Sequence, residues 1–134
     1  MRTFYGLFVA LALCLFGIRA IAAQEYLLPP PVPPVAACNS IVSQGSDNPE
    51  THEIDVSGTS GTVQFQYDTY SQPDRMIVSI DGQQMYDTTC LGTRGLVSQP
   101  IPLPASAQKM RVQVLPNCAG GVGTSWSFKL ACPE

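Results

Sequence analysis

The sequence predicts an all-β domain, an antiparallel β-sandwich or jelly roll closed by two disulfides. Apolar and polar residues alternate at period two in several separate segments, the pattern of half-buried strands. Gly, Pro and Asp-Gly breakers fall between those segments, and no long window after the N-terminal apolar run has helical spacing. Four Cys, at positions 38, 90, 118 and 132, lie within the stretch so patterned.

The N-terminus is set apart first. Residues 1–23 read as a secretory signal: Arg2, an apolar run from Phe4 to Ile18, then small residues through Ala23. The run is short for a bilayer span and lacks a Lys/Arg stop-transfer flank, so no transmembrane segment is expected in the mature chain. Cleavage near Ala23 removes Cys14, leaving an even four of the 5 Cys, and removes Arg2 and Arg19. The formal charge then moves from −3 to −5. An acidic domain whose only lysines are Lys109 and Lys129 has no electrostatic footprint for nucleic acid. Export to the periplasm or beyond makes the four Cys two disulfides rather than reduced thiols. Val35-Ala36-Ala37-Cys38 has the residue types of a bacterial lipoprotein cleavage box, but a Pro-rich stretch separates it from the apolar run. Lipidation of Cys38 would also strand one of the remaining Cys.

Residues 24–37 read first as a semi-rigid spacer and second as a docking ligand, with Pro29, Pro30, Pro31, Pro33 and Pro34 favouring polyproline II and forbidding a central strand. Residues 38–134 are the folded domain. Val63, Phe65 and Tyr67 alternate with Thr62, Gln64 and Gln66; Met110, Val112 and Val114 with Lys109, Arg111 and Gln113; Trp126, Phe128 and Leu130 with Ser125, Ser127 and Lys129. Residues 76–80 read as a more buried strand, turned at Asp81-Gly82 into a short partner at 84–87. Residues 52–56 and 101–103 are weaker strands. About seven or eight short strands in a domain of this size make a sandwich or jelly roll. Val63, Phe65, Val78, Val112, Val114, Trp126 and Phe128 are its expected core.

Four Cys allow three connectivities. Cys38 opens the domain and Cys132 closes it, and terminal strands of a closed sandwich often lie side by side. Cys90 and Cys118 sit in Gly-flanked loops. The expected pairs are Cys38–Cys132 and Cys90–Cys118.

The stretch 61–134 carries Gly-Thr-Val-x-Phe-x-Tyr-Asp-x-Tyr at 61–70, then Pro73-Asp74, Asp81-Gly82, Asp87-Thr88, Val112-x-Val114, Pro116-Asn117, Gly123-Thr124-x-Trp126 and Cys132-Pro133. It resembles a bacterial secreted β-sandwich module, similar to CUB-type jelly rolls and to calcium-stabilised C-terminal modules of secreted hydrolases. The resemblance implies binding rather than catalysis, and acidic ligand positions at Asp68 and Asp74.

Catalytic equipment is sparse. His52 is the single imidazole, with Asp55 three residues on, and no Ser lies in a nucleophile motif. One His and four widely spaced Cys lack zinc-ligand geometry. Asp68, Asp74, Asp81 and Asp87 at strand ends and turns are a candidate calcium set, because calcium takes loop oxygens without strict geometry. Turn chemistry competes: it accounts for Asp81 before Gly82 and Asp74 after Pro73, and less well for Asp68. Tyr70 and Tyr86 beside these acids suit recognition of protein or sugar, while Tyr67 and Trp126 share core faces. Asp68, Tyr70, Asp74 and Tyr86 are thus the expected binding residues. The expected function is an exported, non-catalytic recognition module or accessory subunit, binding a protein first and carbohydrate second. The alternative is a small periplasmic inhibitor or immunity protein that plugs an enzyme with an acidic loop.

Overall fold

A computed structural model describes Val32, residues 34–39 and residues 41–133. The expected signal and most of the spacer lie outside the described residues. Within them the period-two segments become nine strands and no helix: β1 Val35–Ala37, β2 Val42–Gly45, β3 Glu50–Asp55, β4 Gly61–Asp68, β5 Arg75–Ile80, β6 Gln83–Asp87, β7 Val97–Leu103, β8 Lys109–Leu115 and β9 Trp126–Ala131. They form one sheet in the order β1-β3-β8-β5-β6 and a second in the order β2-β9-β4-β7. Every pairing is antiparallel except β1 with β3. No helix among the described residues is long and apolar enough to cross a membrane.

The alternation sets which side chains meet between the sheets, because successive residues of a strand point to opposite faces. All seven expected core residues are buried, and Tyr67 with them. Tyr86, half-buried, caps this layer by a 2.9 Å hydroxyl–hydroxyl bond to Tyr67. Burial first, and that bond second, push the Tyr67 phenol above its ordinary range. Both expected disulfides form, Cys38–Cys132 and Cys90–Cys118, with Cα–Cα distances of 5.8 and 5.7 Å.

Three elements depart from the sequence pattern. β1 extends the sheet with the last residues of the segment read as spacer, at an edge, where neighbouring prolines are tolerated. β2 inverts the usual pattern: Val42 is exposed while Ser43 is half-buried. β7 begins before Ile101 and runs through Pro100 and Pro102 with its register to β4 unbroken from Val97 to Leu103. It can do so because it is an edge strand, so a proline nitrogen can face away from β4.

The hairpin at Asp81-Gly82 is built as its residue types demand. Both residues have positive φ, 47° and 84°, as a tight two-residue turn requires. The Asp81 carboxylate accepts the backbone N–H of Lys109 at 2.9 Å and of Gln108 at 3.2 Å, joining the turn to the start of β8.

One carboxylate on the outer face of the first sheet is covered. Glu53 is only 5% exposed and lies beneath two half-exposed cations. Arg111 Nε donates to its Oε1 at 2.5 Å and Lys109 Nζ stands 3.1 Å from its Oε2. The Arg111 hydrogen bond, and then the bond from Lys109, hold the Glu53 carboxyl below its ordinary range against the opposing effect of burial. A depressed folded pKa means stability is present above the ordinary value near 4.5 and lost as pH falls through the folded one. Glu53→Gln is therefore expected to flatten the acid limb of a melting-temperature profile below about pH 4.5. An unchanged limb would show that the Glu53 pairs do not couple folding to pH.

Candidate functional site

An open cleft of about 570 Å³ lies at the end of the sandwich where β4 hands over to β5 and β9 begins. One wall is Tyr70, Ser71 and Gln72 of the β4–β5 loop; another is Gly123, Ser125 and Trp126; the end of β2 supplies Gln44 and Gly45. Its volume falls in the range of small-ligand sites.

The floor depends on Gly45. A Cβ there would lie 2.2 Å from the indole of Trp126, so only glycine lets the ring pack directly on the β2 backbone. The indole Nε1 donates to the Ser46 carbonyl at 2.9 Å, which satisfies the one polar atom of a ring that is otherwise enclosed.

The Tyr70 wall is held from below. Tyr70 takes φ 52°, a conformation uncommon for a bulky residue that the surroundings must support. Asp68 Oδ1 accepts the Tyr70 N–H and the Thr93 hydroxyl, each at 2.7 Å. Arg94 N–H donates to the Tyr70 carbonyl at 2.8 Å. Gly92 allows the following loop to approach, since a Cβ there would stand 2.7 Å from the Ser71 carbonyl oxygen. Tyr70 itself remains 47% exposed at the cleft.

The opposite wall is fixed by two other carboxylates. Asp74, fully buried, accepts the Asn117 N–H at 2.8 Å and the Thr124 hydroxyl at 2.7 Å. Asp47 Oδ1 accepts from Asn117 Nδ2, Gly123 N and Thr124 N at 2.9, 2.7 and 3.0 Å. The Asn117 bond leads these in holding the Asp47 carboxyl below its ordinary range. Gln72 Nε2 donates to the Val122 carbonyl at 3.3 Å, linking the two walls, and Cys90–Cys118 joins the loops behind them.

The expected site residues are thereby distributed differently from the sequence reading. Tyr70 lines the cleft. Asp68 and Asp74 stand behind its walls as loop supports, and Tyr86 belongs to the layer around Tyr67 rather than to a binding surface. Asp87 pairs with Arg75, whose Nε and Nη2 donate at 3.0 and 2.5 Å; that ion pair holds Asp87 below its ordinary range. Asp81 sits at the other end of β5 from Asp74. The four aspartates are thus not brought together, and among the described residues no group of three or more His, Cys, Asp or Glu is placed to hold a metal ion. Asp68 Oδ1 and the oxygens of Asp74, Asp81 and Asp87 accept from backbone, hydroxyl and guanidinium donors, so the four as placed do not make one calcium site.

His52 is a half-buried side chain packed against the core. Its ring meets Phe128 edge-on with centroids 5.0 Å apart. Ser43 Oγ at 3.3 Å and Glu50 Oε2 at 3.1 Å both approach its Nε2. A nucleophile and an orienting carboxylate on the same nitrogen cannot form a relay through the ring. Asp55 lies on the opposite face of β3 and binds the N–H and hydroxyl of Ser57.

Gln44, Ser71, Gln72, Ser125 and Asp47 carried no sequence signal. Glutamine and serine are ordinary surface residues, and the positions meet only through the fold.

No protein-family model matches the chain, and no curated protein matches it in sequence. Among solved structures it is similar to the pre-peptidase C-terminal domain of a collagenase from Bacillus anthracis, with a TM-score of 0.51 and 10% identity. The match covers 78% of this chain and 99% of that one. At this identity the likeness is one of fold, a β-sandwich.

Proposed function

We propose that this protein is an exported, non-catalytic recognition module whose ligand seats in the end cleft. The observation that carries the reading is the construction of the cleft. Its lining is polar and charge-free, and every loop around it is pinned by buried or paired groups, so the binding shape exists before the ligand arrives. The two disulfides support an oxidising compartment. The similar structure, by its title a pre-peptidase C-terminal domain of a collagenase, supports an accessory role on the same fold.

Blocking the cleft tests this. Ser125→Trp places a bulky ring in the opening at an exposed position. The oxidised wild-type chain, immobilised and exposed to secreted and envelope fractions, is expected to retain a ligand that Ser125→Trp loses by about tenfold or more. Leu96→Ser, exposed and outside the cleft lining, should retain it. Equal retention by Ser125→Trp would place recognition elsewhere and end the proposal.

A further inference from the structure

We infer that the cleft takes a neutral oligosaccharide, with one sugar ring laid on the exposed face of Tyr70; this rests on the recognition reading above. The first ground is the charge of the lining. Among the described residues no carboxylate, ammonium or guanidinium lines the cleft, although the chain is net acidic. The nearby carboxylates of Asp47, Asp68 and Asp74 direct bonds into loop backbone and hydroxyl donors. An anionic or cationic ligand would therefore lose hydration without gaining a counter-charge.

The second ground is the type of hydrogen-bonding group. Ser71 and Ser125 offer hydroxyls that donate and accept, and Gln44 and Gln72 offer primary amides that do both across a fork. A polyol presents the same dual character on adjacent hydroxyls, so each contact can be satisfied in either sense. A protein ligand asks for different features. Its anchors are large apolar or Arg side chains entering dry pockets, and this lining is mainly polar with a single exposed aromatic ring. A peptide adding as a strand would need a long free edge, and β2 offers only Val42–Gly45 before the chain turns. Carbohydrate thus moves ahead of protein, reversing the order expected from the sequence.

The third ground is Tyr70. Its backbone is held by bonds from its own N–H and to its carbonyl, and the residue is half-exposed where it lines the cleft. A rigid aromatic with few torsions gives contact area at low entropic cost, and its apolar face matches the C–H face of a pyranose.

Trp126 is the single Trp of the chain and lines the cleft, so its fluorescence is a probe placed at this site. The oxidised full chain would be titrated with tetrasaccharides of the cellulose, starch and chitin types, with oligogalacturonate and with a neutral peptide as comparators. A saturable Trp126 change with at least one neutral glycan is expected at up to ~10 mM ligand. It should persist in about 0.5 M sodium chloride, since no charge pair is involved. Tyr70→Ala should weaken it about tenfold with an unchanged melting temperature, while Tyr70→Phe, which keeps the ring, should hold most of it. If no neutral glycan binds, or if Tyr70→Ala binds as well as wild type, the sugar inference is overturned. In that event, loss of a captured ligand by Ser125→Trp would leave the recognition reading standing, and retention would end both.

Discussion

Phe128→Ala is expected to lower the unfolding free energy by about 3–5 kcal/mol, the range for a buried aromatic truncated in a core that cannot collapse around the void. Phe128 is 2% exposed and central in β9. Its ring centroid lies 5.9 Å from that of Phe65 and 6.2 Å from Trp126, with His52 edge-on from the facing sheet. Aromatic neighbours of this kind add to the area term, because offset and edge contacts depend on ring geometry. The cavity would open between the sheets, where neither backbone can move inward without breaking register. Urea unfolding with both disulfides intact measures the loss, and Tyr70→Ala serves as a surface comparison. A loss under about 1 kcal/mol, the usual surface range, would mean that Phe128 does not face the core.

The second large effect is expected from the long disulfide. Cys38–Cys132 links positions 94 residues apart, and Cys90–Cys118 links positions 28 apart. If the bridges act mainly by restricting the unfolded chain, replacing Cys38 and Cys132 by Ser costs roughly 4–5 kcal/mol. The same change at Cys90 and Cys118 costs roughly 1 kcal/mol less, because the entropy of closure grows only with the logarithm of loop length. The long bridge also holds the chain entry against the end of β9. There Asn39, at φ 69°, accepts the Cys132 N–H on its side-chain oxygen. Denaturant unfolding of the two double variants gives both values. The reverse order would show that the shorter bridge acts through the native loops it joins rather than through the unfolded chain.

The strands that alternate cleanly were legible because their pattern is the physical cause of their burial. β4, β8 and β9 each put a continuous apolar row between the sheets, and one slip of register would expose it. β2 was not legible for the same reason in reverse. Its inward Ser43 and outward Val42 contradict the fold, and it forms because β9 offers an open edge to pair with. β7 was half legible, since its prolines argue against a strand until its edge position is known. The site shows a sharper division. Aspartates at turns were visible, but whether a carboxylate reaches for a metal, a partner or its own loop depends on what stands opposite. Asp68 meets Thr93 and Asp74 meets Thr124, contacts 25 and 50 residues apart. The cleft joins Gln44, the Tyr70 loop and Ser125, and nothing local in those residues marks their meeting.

The prolines of β7 have a consequence for how the protein behaves at high concentration. An unbroken ladder to β4 requires that the nitrogens of Pro100 and Pro102 face away from it, since neither can donate. The outward nitrogens at that rim are then those of Ser98, Pro100 and Pro102, with Pro104 just beyond the strand. A row that would otherwise offer an N–H at every second residue keeps one within the strand. A foreign strand, or a second copy, laid along this rim finds carbonyls but almost no donors, and cannot zip into a continued sheet. The longest edge of the second sheet is thus closed to fibril-like stacking by the imino acids themselves, without any covering helix or charge.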